Sequence, residues 1–334
     1  MKLKLFALML VIAAGVNAQT FMRVHQKGGQ LAEFPITSVD SVTHTSPLTS
    51  NSIYSVVSAD PELTKIKNGI DSAAFNPNPY AYTGNITFFA PVNAVINSFR
   101  WIDFGPTITN QVVRYHTVRG KFLASDIPND ARNLKVSTIN IPADSLFITK
   151  FNGVIYVNGK DVDPNKININ ASNGVIHKLN ASNGILFPPT GSVYAKLSAA
   201  GYDSILKLVN RAALADNGLI DLLNNRVVTL IAPTNTAFQQ FFSAGAIKEI
   251  NQLTTAQALG LVKDHILLSR NFYINMAITQ STGIPAYGGG TLRIAGTSQG
   301  PALYYIATAA VLLGSSDIMA TNGVIHRVGG ILTK

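Results

Sequence analysis

The stretch Asn173-Gly174-Val175-Ile176-His177 occurs twice in this chain, and returns 149 residues later as Asn322-Gly323-Val324-Ile325-His326. Two further pairs of segments keep nearly the same spacing, namely Phe88–Ala94 with Leu230–Thr236 and Tyr115-His116 with Asp264-His265. A repeat of this length corresponds to a whole domain, because the repeating units of solenoid proteins are only about 20 to 50 residues long. The sequence therefore predicts two similar domains in tandem.

The first residues of the chain have the pattern of a secretory signal peptide. A basic start is followed by an apolar run from Leu5 to Val16 and by small residues up to Ala18, after which we expect cleavage. The apolar run is shorter than the roughly 20 residues that a membrane-spanning helix needs. We therefore expect residues 1–18 to be removed, and the mature chain to be secreted, periplasmic or associated with the cell surface, without an integral membrane segment.

Residues 19–47 precede the repeats and are predicted to form a short β leader and a linker. Phe21–Val24 and Leu31–Ile36 are short β-like runs that can pair as a hairpin. The first domain is assigned to residues 48–187 and the second to residues 188–334.

The composition favours a core held by apolar packing and disfavours several classes of partner. The chain has no cysteine, so neither disulfides nor a lipid anchor on a cysteine are expected. Hydrophobic residues make up 47% and charged residues only 13%. The net charge of +9 comes from scattered lysines and arginines, without the basic clusters typical of nucleic-acid binding. We therefore expect no nucleic-acid partner.

Each half contains a buried strand followed by a proline and an asparagine. The strands are predicted at Ile86–Ala90 and Val227–Ala232, and Pro91 and Pro233 end them. Asn93 and Asn235 are predicted to cap new helices, whose apolar residues are Ile96 and Phe99 in the first half and Phe238, Phe241 and Phe242 in the second.

The remainder of each half predicts one more helix and then strands. In the second half a helix begins at Thr254 or Thr255, and its apolar stripe extends to His265 and Ile266. In the first half Leu146–Lys150 and Gly153–Val157 flank a turn at Phe151-Asn152. Helices that precede an antiparallel sheet indicate an α+β fold for each domain.

The order of these motifs resembles the fasciclin-like family: Phe-Ala-Pro-x-Asn, a Tyr-His pair at a helix end, and a closing Asn-Gly-Val-Ile-His. The resemblance covers nearly all of the mature chain. It implies two wedge-shaped domains, each a sandwich of two β-sheets with several helices on one side. It further implies adhesion through extracellular or cell-envelope protein or polysaccharide partners, with no cofactor and no enzymatic activity.

The resemblance assigns family positions to fifteen residues, as structural or interaction residues. They are Pro91, Asn93, Tyr115, His116, Asn173, Gly174, His177, Pro233, Asn235, His265, Asp317, Ile318, Asn322, Gly323 and His326. Asp264 replaces the tyrosine of the Tyr-His pair in the second half. Asp317-Ile318-Met319 matches an Asp-Ile element that is linked to integrin recognition in animal relatives, whereas the first half has Ile167-Asn168-Ile169 there.

The motif residues are also explained by folding alone. Asn-Gly fits a tight turn because both central positions accept a positive φ. His177 and His326 alternate with isoleucine in a strand, and His116 and His265 lie on the apolar stripe of a helix. We expect all four to be buried, hydrogen-bonded histidines.

One alternative is a secreted serine hydrolase. Gly296-Thr297-Ser298-Gln299-Gly300 fits the Gly-x-Ser-x-Gly pattern, and Asp317 and His326 follow in the order of an α/β-hydrolase triad. That chemistry needs Ser298 at a turn from a strand into a helix, whereas the residues after it are β-like, so a hairpin turn is favoured. Asp161, Asp163 and Asn165 resemble the start of a calcium loop but lack its glycine and distant glutamate, and no metal site is predicted.

Overall fold

The computed structural model describes residues 21–25, 31–36, 51–82, 84–96, 100–142, 144–181, 185–199, 201–279, 282–297, 300–305, 309–311 and 316–334. The chain divides into two compact units, residues 1–46 and residues 47–334. The predicted signal peptide and its cleavage point lie outside the described residues.

The first unit contains the predicted hairpin. Strands β1 (Phe21–His25) and β2 (Leu31–Pro35) pair antiparallel, with Phe21 opposite Pro35 and Arg23 opposite Glu33. The Arg23 guanidinium lies 2.6 Å from the Glu33 carboxylate, although both side chains are exposed, so the ion pair contributes little stability.

The second unit contains two modules that share the order of their eight described strands, whereas the described residues form three α-helices in the first module and six in the second. The first module comprises α1 (Ile53–Ala59), α2 (Thr64–Ser72), β3 (Ile86–Ala90), α3 (Gly105–Tyr115), β4 (Thr117–Arg119), β5 (Leu134–Ser137), β6 (Ser145–Phe151), β7 (Val154–Val157), β8 (Lys160–Asp161), β9 (Ile169–Ala171) and β10 (Gly174–Lys178). The second comprises α4 (Val193–Lys196), α5 (Asp203–Ala213), α6 (Leu219–Asn225), β11 (Val228–Pro233), α7 (Asn235–Ala244), α8 (Thr255–Asp264), β12 (Ile266–Leu267), α9 (Tyr273–Ile278), β13 (Ile284–Pro285), β14 (Thr291–Thr297), β15 (Gly300–Tyr304), β16 (Ala309–Val311), β17 (Ile318–Ala320) and β18 (Gly323–Val328).

Each module has two four-stranded sheets among its described residues. The orders are β4-β3-β10-β9 and β5-β6-β7-β8 in the first, and β12-β11-β18-β17 and β13-β14-β15-β16 in the second. The α+β class is confirmed. The antiparallel arrangement is correct for the second sheet of each module, but β3 with β10 and β11 with β18 are parallel pairs. A parallel pair requires a long crossover, and the intervening helices and second sheet provide it.

The central strand of each module is buried on both faces. In β3, Phe88 packs into the helix-side core with Ile66 and Val113, whereas Phe89 packs into a second core with Leu146 and Ile148 of β6. In β11, Leu230 faces the helices and Ile231 the second sheet. A strand covered on both sides appears in the sequence as a continuous apolar run.

Two helix predictions differ from the structure. Residues 93–96 form a turn rather than a helix, and Phe99 lies outside the described residues. In the second module the helix after the proline is present, but its N-cap is Thr234, whose side chain accepts a hydrogen bond from the N–H of Ala237. Phe238 and Phe242 of that helix are buried, whereas Phe241 is exposed.

The helix α8 begins as predicted and ends earlier. Thr254 and Gln257 form a reciprocal capping box at its start. His265 follows the last helical residue, and Ile266 already belongs to β12. The predicted helical stripe therefore runs across the junction between a helix and a strand.

The Asn-Gly dipeptides fall into two structural classes. Asn152-Gly153 and Asn158-Gly159 have positive φ at both residues, as two-residue hairpin turns require, and the first of these turns lies one position beyond the predicted one. In the closing motif the prediction is wrong. Ala171 pairs with Gly174, so the two turn residues are Ser172 and Asn173, and Gly174 is the first residue of β10.

Gly174 and Gly323 are required by the close approach of the parallel strands. A Cβ at Gly174 would overlap the carbonyl oxygen of Ile86, and one at Gly323 would overlap that of Val228. Gly174 and Ile86 are partners in the β3–β10 register, as Gly323 and Val228 are in β11–β18. A side chain at either glycine would separate the two strands at the point where they begin to pair.

None of the described helices is long and apolar enough to cross a membrane.

We expect Gly174→Ala and Gly323→Ala each to lower the free energy of unfolding by roughly 3 kcal/mol, because the added methyl group would overlap a backbone carbonyl of the neighbouring strand. Gly260→Ala is the matched control, since Gly260 lies in α8 with open space around its Cα. It should raise stability by about 0.5–1 kcal/mol. Urea unfolding followed by circular dichroism measures all three, and equal stability of the Gly174→Ala and Gly260→Ala variants would contradict the assignment.

Candidate functional site

His116 and His265 connect the C-terminal residues of each module to a helix, which is α3 in the first module and α8 in the second. The Nδ1 of each ring lies 2.9 and 2.8 Å from the carbonyl oxygen four residues earlier, of Val112 and Leu261 respectively. Each Nε2 accepts a backbone N–H, from Leu186 at 3.0 Å and from Leu332 at 3.1 Å. Since one nitrogen faces an acceptor and the other a donor, both rings are neutral with the proton on Nδ1.

Burial keeps these two histidines neutral. Neither His116 nor His265 is exposed to solvent. Desolvation lowers the pKa of each imidazole from 6.5 to about 4, against a smaller opposing effect of the backbone hydrogen bond. The rings therefore serve as uncharged hydrogen-bonding groups near neutral pH.

His177 and His326 form a second duplicated pair with the opposite tautomer. Their Nε2 atoms lie 2.9 and 2.7 Å from the carbonyl oxygens of Phe122 and Asn271. Their Nδ1 atoms accept the N–H of Asn168 and Asp317, at 3.4 and 3.3 Å. The proton is therefore on Nε2. Both rings are fully buried, and the prediction of buried, hydrogen-bonded histidines is confirmed for all four.

Asn173 and Asn322 hold the first helix of each module against the last strand. The Oδ1 of Asn173 accepts the N–H of Ile53 at 2.7 Å, and that of Asn322 accepts the N–H of Val193 at 2.8 Å. The amide of Asn173 donates to the carbonyl oxygens of Tyr80 and Tyr82. These asparagines therefore satisfy helix N-termini that are distant in sequence.

Asn93 and Asn235 also cap helices, but these helices precede them in the chain. Asn93 accepts the N–H of Lys65 at the start of α2, at 2.8 Å. Asn235 accepts the N–H of Ser204 at the start of α5, at 3.0 Å. The prediction that each caps the helix following it is wrong. Pro91 and Pro233 are buried beside them.

The Tyr-His pair differs between the modules. Tyr115 is buried, donates to the carbonyl oxygen of Ser145 at 3.1 Å and accepts from the Asn158 amide at 2.9 Å. It thereby ties the end of α3 to the second sheet. Asp264 stands at the equivalent place and does not reproduce these bonds. The connection is made instead by Tyr305, whose hydroxyl donates to the backbone carbonyl of Asp264.

Asp317 lies inside the molecule and faces the other module. Its side chain is only 12% exposed, and its Oδ1 accepts the N–H of Tyr273 at 2.7 Å. A Cβ at Gly159 of the first module would lie 2.6 Å from Asp317 Oδ2, so the two modules touch there. Burial raises the pKa of the Asp317 carboxyl, which His326, the Tyr273 N–H and Lys160 oppose. The Asp317-Ile318 element therefore takes part in packing, with Ile318 against the helix-side core.

The two modules meet through the outward face of the second sheet of the first module. Leu146 and Ile148 of β6 point into their own core, whereas Phe147 and Phe151 pack against Phe272 of the second module. The Phe147 and Phe272 ring centroids are 6.3 Å apart. The apolar character of both faces of β6 is the one sequence signal that could have revealed this interface.

Polar groups complete the contact between the modules. The Arg270 guanidinium lies 4.3 Å from the centroid of the Phe147 ring and donates to the carbonyl oxygen of Gly323 at 2.7 Å. The amide of Asn133 donates to the Arg270 carbonyl oxygen, and that of Asn275 to Thr149 Oγ1, at 2.6 and 3.1 Å. None of these residues was predicted from the sequence, because the two repeats do not share them.

The residues proposed for a hydrolase are arranged differently from a catalytic elbow. Ser298 lies outside the described residues, but Thr297 and Gly300 on either side of it are paired positions of the antiparallel strands β14 and β15. The His326 Nδ1 lies 3.8 Å from the Asp317 carboxylate, and both groups are enclosed by the domain core. Within the described ranges, no group of three or more histidine, aspartate and glutamate side chains is placed to hold a metal ion.

The fasciclin domain family matches residues 61–182 and 207–334. The chain belongs to this family. It is 28% identical over 263 residues to transforming growth factor-beta-induced protein ig-h3 of Sus scrofa, covering 75% of this chain and 35% of that protein. The chain therefore spans about a third of the length of this relative. A FAS1 domain pair from the insect cell adhesion molecule Fasciclin I matches with a TM-score of 0.40 and 15% identity, over 84% of this chain and 96% of that one.

We expect stability to fall as the pH is lowered from about 6.5 to about 4. In the unfolded chain His116 and His265 bind protons near pH 6.5, whereas in the fasciclin fold they resist protonation down to about pH 4. Each therefore contributes roughly 3 kcal/mol that is complete above pH 6.5 and lost by pH 4. Urea midpoints across this range measure the loss. ¹⁵N spectra at pH 5.5 should still show both rings neutral with the proton on Nδ1, and titration of either ring near pH 6.5 would contradict the prediction.

Phe147→Ala should loosen the two fasciclin modules, because it removes the ring that Arg270 and Phe272 contact. We expect the single thermal transition of the chain to separate into two, and the radius of gyration from small-angle scattering to rise. Phe241→Ala is the matched control, since it removes an exposed ring outside this interface. An unchanged transition and scattering profile in Phe147→Ala would show that other contacts alone hold the pair.

Proposed function

We propose that this chain is a secreted or cell-envelope adhesion protein, which binds protein or polysaccharide partners through its two fasciclin modules without catalysing a reaction. Fasciclin domains are known in adhesion proteins. The apolar run at residues 5–16 supports export of the chain.

The observation that carries the proposal is that the modules are held together as a pair. Contacts of Phe147, Thr149 and Asn133 with the second module fix the relative positions of two similar surfaces. A partner with repeated epitopes engages the second surface as an intramolecular event once the first is bound, which multiplies weak affinities. A fixed geometry also lowers the entropy that is lost on binding.

The motif residues themselves are unsuitable as contacts for a partner. His177, His326 and Asn173 are fully buried, and Asp317 is covered by the adjacent module. We therefore place the partner on the exposed side chains of the two modules, where large apolar groups are available. These include Ile102, Ile141 and Leu214, which are 79%, 78% and 73% exposed.

Binding of the intact chain to purified cell-envelope fractions tests the proposal. We expect saturable retention on immobilised envelope that is lost when the fraction is treated with protease, if the partner is a protein, or with periodate, if it is a polysaccharide. Phe147→Ala should weaken retention by roughly tenfold or more, because it uncouples the paired sites. Absence of saturable retention, or fluorophosphonate labelling that Ser298→Ala abolishes, would overturn the proposal.

A further inference from the structure

A pocket of about 680 Å³ opens between helices α7 and α8 of the second module. Its size is within the range of pockets that bind small organic ligands. Its walls are mainly apolar, with a few polar groups; the principal lining residues are Phe241, Ile247, Leu253, Leu261, Gln257 and Asp264. The adhesion role proposed above does not use this pocket.

Asp264 places in this apolar wall a carboxyl group whose burial is only partly offset by the charge and hydrogen bonds of Lys334. Its side chain is 8% exposed, and its Oδ1 is buried without a hydrogen bond from any described residue. Burial accordingly raises the pKa of this carboxyl. A buried carboxylate with an unsatisfied oxygen is costly, so the group favours contact with a cation.

Lys334 neutralises this carboxylate only in part. Its ammonium lies 3.5 Å from Asp264 Oδ1, whereas a charge-assisted hydrogen bond is about 2.7–2.9 Å long. The Lys334 side chain is also 50% exposed, so holding it beside the carboxylate contributes little free energy. An external ammonium that brings its own apolar body can replace it.

Phe241 supplies the apolar contact at the opposite side of the pocket. This ring is 39% exposed, while its neighbours Phe238 and Phe242 in the same helix are buried. An aromatic side chain that is left open at the entrance of an apolar pocket offers a surface on which a hydrocarbon chain can be buried.

We propose that this pocket binds a small organic cation, a primary amine with an apolar body. The ammonium contacts the Asp264 carboxylate in place of Lys334, and the body lies against Phe241, Ile247 and Leu253. The first module lacks this site, because Tyr115 occupies the position of Asp264 and bonds to its own second sheet. Each domain pair therefore carries one such site.

Isothermal titration of the full chain with octylammonium, octan-1-ol and octanoate tests the proposal, because these probes share the hydrocarbon chain and differ in the head group. We expect octylammonium to bind roughly tenfold more tightly than octan-1-ol, which is typical of a hydrogen bond to a charged group. Octanoate should bind least. Equal affinity for the three probes, preference for octanoate, or no binding of octylammonium would overturn the proposal.

Three variants connect this preference to the pocket. Asp264→Asn should abolish the advantage of octylammonium over octan-1-ol, whereas Asp130→Asn, the same change at an exposed aspartate of the first module, should preserve it. Phe241→Ala should weaken both probes. Lys334→Met removes the ammonium that lies beside Asp264 and donates to the Gly288 carbonyl oxygen. It should strengthen octylammonium binding several-fold, so it tests the site even if Asp264→Asn fails to fold. Unchanged binding in Lys334→Met would contradict displacement of its ammonium.

Discussion

The parallel pairing of the first and last long strands of each module is the constraint on which the rest of the structure depends. β3 with β10 and β11 with β18 are separated by most of a module, so the helices and the second sheet are built into the crossover that joins them. Gly174 and Gly323 permit the strands to approach at the start of this pairing. Asn173 and Asn322, one residue earlier, bring the first helix to the same corner.

The repeat made the fold and the buried histidines predictable from the sequence, because both halves place a continuous apolar strand and the same histidines at nearly the same spacing. Partner identities were not predictable in the same way. Asn93 was expected to cap a following helix, but its side-chain oxygen accepts the N–H of Lys65, which lies earlier in the chain. The Asn-Gly of the closing motif was expected to be a turn, but Gly174 is the first residue of β10 and permits the close approach of β3. In each case a residue type with a strong local preference is used for a tertiary contact instead.

The contact between the modules is asymmetric even though the modules are related. The outward positions of β6 in the first module include Phe147, Thr149 and Phe151, which the second module contacts. On β14 of the second module, Leu292 and Ile294 point inward, and the alternate positions are Thr291, Arg293 and Ala295. The two aromatic rings of β6 therefore have no counterpart on β14, and the two repeats do not share the interface residues.

The residues that both modules share indicate what the fasciclin fold requires, and the residues that differ indicate what it allows to vary. The two histidine pairs keep their partners and their tautomers in both modules, because a change in either would leave a buried donor or acceptor unpaired. At Tyr115 and Asp264 the fold permits divergence, since Tyr305, the residue after β15, restores the connection to the second sheet. With that tie supplied elsewhere, the carboxylate of Asp264 is no longer needed for the scaffold. A buried charge retained without a structural role is costly, and the cost is offset where a cation occupies the space beside it.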